Sequence, residues 1–142
     1  MRLTCMTSPM NRACRFEETN SLKAWCDYSF TLVSDRLRDF DGCSAELAVT
    51  SLDQQTSYAT CVLREDPLAQ HRDRRYGTLL LSGPNVTKAY EDALAGSGVG
   101  TGFIGPVKST FRLTIVVHPS RTVLVDTDVP VVLCAGPGKE LS

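Results

Sequence analysis

The stretch from Cys5 to Cys61 constrains this chain more than any other, because it holds five of the six cysteines and interleaves them with short strand-like runs. Cys5 and Cys14 enclose eight residues, and Cys43 and Cys61 enclose seventeen. Residues 2–7 and 11–17 are extended candidates joined through Ser8-Pro9, so a Cys5–Cys14 bond would clip two adjacent strands together. The same reading applies to residues 43–50 and 57–64 with a Cys43–Cys61 bond. In the chain-entropy picture either loop would restrict the unfolded state by roughly 3 kcal/mol, a large share of a domain's net stability. Cys26 is left with Cys134 as its remaining candidate partner, although sequence alone leaves every pairing of six cysteines open.

The strand reading rests on period-two alternation. Cys26, Tyr28, Phe30 and Leu32 fall on one face and Asp27, Ser29 and Thr31 on the other, while Cys43, Ala45, Leu47 and Val49 alternate with Ser44, Glu46 and Ala48. Phe111, Leu113, Ile115 and Val117 repeat the pattern, Arg121 to Asp126 extends again, and residues 129–134 form a last apolar piece. Phe30, Leu32, Leu47, Val49, Leu113, Ile115 and Val117 are the expected core, with Trp25 and Tyr28 as further core aromatics. Between Glu65 and Ser109 the pattern lapses. Residues 65–77 are polar and charged, Thr78 to Leu81 is a short apolar run, and Ser82-Gly83-Pro84 turns the chain. Lys88 to Ala95 is the one convincing helical turn, and five glycines fall between Gly96 and Gly105. The expected fold class is all-β: an antiparallel sandwich, disulfide-stapled, with a long irregular insertion around 65–109. One module is expected over residues 1–130, and residues 131–142 are expected to be a tail or the start of a linker.

Composition narrows the function classes. A length of 142 residues fits one domain, 42% apolar and 22% charged residues describe an ordinary globular protein, and a net charge of −1 argues against nucleic acid as a partner. No apolar run approaches the ~20 residues of a membrane span. Six cysteines without a C-x-x-C pair point to disulfides and an oxidising compartment rather than to zinc, and imply that Met1 opens a mature or truncated extracellular piece. The other reading, reduced cysteines in a cytosolic or viral structural protein, stays open. No cofactor motif is present: Gly96, Gly98, Gly100 and Gly102 fit neither the dinucleotide fingerprint nor the P-loop, and read as a linker. His71 and His118 carry no local nucleophile signature, and Ser82 lies outside a nucleophile elbow, so no enzyme is expected. Asn85-Val86-Thr87 is the single glycosylation sequon, with Asn85 as the acceptor.

The sequence resembles one family. LTC, eight residues, CRF, then WCDYSF, DGC and SYATCVL are similar to the N-terminal fibronectin type III-like module of a class I cytokine receptor ectodomain, with Phe16 where tryptophan is usual. The run TFRLTIVVHPSRTVLVDTDVP is similar to the module's last strand pair. The resemblance covers roughly residues 2–64 and 109–130. The Trp-Ser-x-Trp-Ser motif of a second module is absent, and residues 65–109 exceed the usual connection. The resemblance implies an extracellular module that binds a helical cytokine through inter-strand loops, together with a second receptor chain. By position it transfers ligand binding to two loops, one with Arg36, Arg38 and Phe40 and one with Arg72, Arg74 and Tyr76. The alternative class is a small β-rich coat, tail or assembly protein without a ligand.

Overall fold

The computed structural model describes residues 1–8, 11–34, 44–65, 75–98 and 105–135. Among them are nine strands: β1 Arg2–Ser8, β2 Asn11–Phe16, β3 Ser21–Lys23, β4 Tyr28–Ser34, β5 Ser44–Thr50, β6 Ser57–Glu65, β7 Arg75–Leu81, β8 Val107–His118 and β9 Thr122–Cys134. One helix, α1, spans Gly83–Ser97. The alternating apolar positions explain β4, β5 and β8, in which Phe30, Leu32, Ala45, Leu47, Val49, Leu113, Ile115 and Val117 are all buried. Each Leu- or Phe-sized side chain withdrawn from water this way contributes about 1.5–3 kcal/mol.

The strands hydrogen-bond in the order β2-β1-β4-β7-β6-β5-β8-β9-β3. β6 divides its pairing: residues up to Leu63 pair with β5, and Arg64 and Glu65 pair with β7. The order therefore bends into two sheets that share β6. β2 comes back against β9, and a single buried cluster takes Leu3, Phe30 and Leu79 from one sheet and Leu47, Ile115 and Leu133 from the other. The mostly-β, two-sheet expectation holds. Two pairings differ from an all-antiparallel sandwich: β1 runs parallel to β4, and β3 parallel to β9.

Two bulges set the phase of the inner face. Opposite β5, Val49 faces Ala59 and Thr50 faces Ser57, so Tyr58 is the extra residue and turns inward. Opposite β8, Ile115 faces Val125 and Val116 faces Val123, so Leu124 and Val125 are buried in succession. An extra residue of this kind bends the strand and shifts its alternation. β9 carries the chain through buried Val131 and Leu133, past the boundary expected at residue 130.

The segment 65–109 also differs from the irregular insertion expected of it. Arg75–Leu81 completes a sheet, because its apolar Leu79 and Leu81 bury against β4, where Leu79 pairs with Phe30 and Leu81 with Tyr28. Ser82, Gly83 and Pro84 start a helix rather than a mere turn. Ser82 is the N-cap and its hydroxyl accepts from the Asn85 N–H at 3.4 Å, and proline in the first turn costs no hydrogen bond. Gly98 closes the helix in the left-handed region at φ 77°. Val86, Ala89 and Tyr90 form its buried face, so packing supplies the stability that a helix this short lacks alone.

Candidate functional site

The strand ends that border the two expected binding loops are described. Ser34, the last residue of β4, pairs with Arg75, the first of β7, and Arg75 also pairs with Glu65, the last of β6. Ser44, the first of β5, pairs with His118 at the tip of the β8–β9 hairpin, on the same side as the end of β6. Both loops, 35–43 and 66–74, thus leave and rejoin the sheets at one end of the domain. Arg36, Arg38, Phe40, Arg72 and Arg74 lie outside the described residues. Tyr76 has its backbone in β7, between Val33 and Arg64.

Described residues add cations to this end. The β1–β2 hairpin reaches it, since Cys5 pairs with Ser34 and Thr7 with Arg12. Arg12, Arg64 and Arg121 are all exposed there.

The cysteines fall into three situations. Cys5 and Cys14 face each other directly across β1 and β2, both buried, with Sγ atoms 2.6 Å apart, longer than the roughly 2.05 Å of a disulfide. Cys61 is opposite Leu47, its thiol pushed up to about 11 by burial and then by the Glu46 carboxylate, and Cys43 lies outside the described residues. Cys26 and Cys134 belong to neighbouring backbone: Lys23 pairs with Cys134, the Ala24 N–H donates to the Cys134 carbonyl at 2.9 Å, and the Cys26 N–H donates to Lys23 at 3.2 Å. Both residues are half-buried and neither is in a disulfide, and the Cys134 thiol donates to the Leu22 carbonyl at 3.6 Å.

The opposite end shows a feature that sequence reasoning missed. Trp25, expected in the core, is 57% exposed, and Tyr28 is only half-buried. Trp25 is the third residue of the turn Lys23–Cys26 and has φ 67°, a left-handed conformation for which glycine or asparagine is usual. For a bulky side chain this costs on the order of 1–3 kcal/mol and persists only where the surroundings over-determine it. The surroundings here are the start of α1. The Trp25 N–H donates to the Thr87 hydroxyl at 2.9 Å, and that hydroxyl donates to the Gly83 carbonyl at 2.9 Å. The Asp27 carboxylate accepts the Gly83 N–H at 2.6 Å, where the helix dipole favours negative charge. Only glycine fits at position 83, because a Cβ would sit 2.8 Å from the Trp25 carbonyl. The core expectation fails because Trp25 lies in the turn before β4, where its backbone is tied to α1 and its side chain is left in water.

Asn85, the sequon residue, sits in the first turn of α1, half-buried, and its side-chain amide donates to the Tyr58 carbonyl at 2.7 Å. A glycan on that nitrogen would displace the bond. Among the described residues no group of His, Cys, Asp or Glu side chains is arranged to hold a metal ion, and no helix is long and apolar enough to cross a membrane. No protein family, no curated protein and no solved structure matches the chain.

Proposed function

We propose that the protein is an extracellular binding module that engages a protein ligand through loops 34–42 and 65–76 and the arginines around them. The ligand class is the one the resemblance implies, a helical cytokine, bound by the module together with a second receptor chain. The observation that supports the reading is that the strand ends Ser34, Ser44, Glu65 and Arg75, which border both loops, lie at one end of the domain. A few residues dominate such surfaces, and aromatic and arginine side chains are the usual ones.

The test is binding to a panel of immobilised helical cytokines. Phe40→Ala and Arg72→Ala are each expected to weaken the interaction at least tenfold, about 1.4 kcal/mol, without lowering the melting temperature. Binding that ignores both substitutions removes these loops from the interface. If the chain binds no member of the panel and instead sediments as a large particle, the assembly-protein reading takes its place.

A further inference from the structure

β8 is longer than the strand beside it. β5 stops at Thr50, opposite Arg112, so among the described residues Val107–Phe111 of β8 pair only with β9. Their second edge opens into a cleft of about 600 Å³ between the C-terminal half of α1 and the turn that joins β5 to β6. Tyr58 and Phe111 line it, with ring centroids 5.2 Å apart. The bulge that turns Tyr58 inward also brings its hydroxyl to the Asp92 carboxylate at 3.1 Å. Along the helix wall the lining residues are small, Ala89, Ala93 and Gly96, which keeps the cleft open beside the strand.

We propose that this cleft takes an extended peptide, which adds as a strand to the open edge Val107–Phe111 and sets a basic side chain against Asp53 and Asp92. A free strand edge presents N–H and C=O groups in a row, and an extended main chain matches that spacing. Five residues span about 17 Å at roughly 3.4 Å each, enough for two or three main-chain hydrogen bonds. Charge selects the side chain. Among the described residues of the lining, Asp53 and Asp92 stand against the single cation Lys108, which makes that lining net negative. Asp53 is a fixed charge, because the Ser51 hydroxyl and the Gln55 N–H donate to it at 2.6 and 3.0 Å and hold its carboxyl below the ordinary range. Alternate peptide side chains would face Tyr58 and Phe111, which favours apolar ones there.

The cleft lies at the far end of β8 from His118, so it is separate from the loop surface and the two stand or fall independently. The experiment selects a random heptapeptide display library against the full chain. Enriched peptides are expected to carry apolar residues at alternate positions together with lysine or arginine. On binding, hydrogen exchange should slow at alternate amides of 107–111, which are expected to exchange freely without peptide. Gly96→Phe is expected to weaken binding at least tenfold, since Gly96 lines the cleft and a Cβ there meets nothing within 4 Å, which leaves room for a larger side chain. Gly96→Ala should stay within twofold of wild type. Methylating the edge-facing amides of the peptide should cost at least tenfold, with side chains unchanged. Enrichment of no peptide, edge amides already protected in the free chain, or binding indifferent to both Gly96→Phe and amide methylation would each overturn the proposal. Phe40→Ala should leave peptide binding unchanged.

Discussion

Ile115→Ala is expected to lower the free energy of unfolding by about 2–5 kcal/mol. Ile115 is fully buried at the middle of β8, with Leu47 of β5 on one side and Val125 of β9 on the other. Deleting three carbons there opens a cavity that two hydrogen-bonded neighbours prevent from collapsing. Denaturant unfolding at constant m-value measures the loss, and Ile115→Val should cost only about 1 kcal/mol. A loss below roughly half a kcal/mol for the alanine variant would mean that the register of β8 against β5 is wrong.

Oxidising the chain should raise its stability by about 3 kcal/mol through a Cys5–Cys14 disulfide. The two residues are register partners in adjacent strands, a separation that a disulfide bridges without backbone movement. Oxidised glutathione would take two electrons from the pair, the thiols would release two protons, and an S–S bond would form. Mass measurement should show two hydrogens lost at these positions, and unfolding with and without reductant should show the gain. In the double variant Cys5→Ser, Cys14→Ser the reductant-dependent difference should vanish. An unchanged midpoint on oxidation, with the bond confirmed by mass, would mean that the hairpin is equally restricted in the unfolded chain.

Local periodicity made much of the fold legible. Every one of the seven expected core residues, from Phe30 to Val117, is buried, because each sits in a strand whose alternation is set by its own neighbours in sequence. The β1–β2 hairpin was visible from the Cys5–Cys14 spacing and the Ser8-Pro9 join between two short extended runs. What stayed hidden depends on partners far along the chain. The parallel pairings of Arg2 with Thr31 and Ser21 with Val132 leave no signature in either segment alone. Residues 121–134 read as two pieces, since the bulge at Leu124 shifts the alternation and Pro130 interrupts it, yet Pro130 pairs with Thr110 within one continuous β9. The helix start was masked by chemistry shared between turns and caps: serine, glycine and proline serve both. For the candidate site, the composition of the two loops was plain, and their common end was an expectation that the strand ends support. The open edge of β8 could not be read at all, because it exists only through the shortness of a different strand, β5.

Trp25 is the only tryptophan in the chain, and its place decides what emission spectroscopy can see. An indole half in water on a turn clamped by Thr87 and Gly83 reports whether α1 is docked, and is nearly blind to the sheets. Tryptophan emission and far-ultraviolet dichroism are thus probes of two different parts of one molecule. Their denaturation midpoints will coincide only if the helix and the sandwich melt as a single unit. The protein carries its own gauge of how tightly the one helix is tied to the rest.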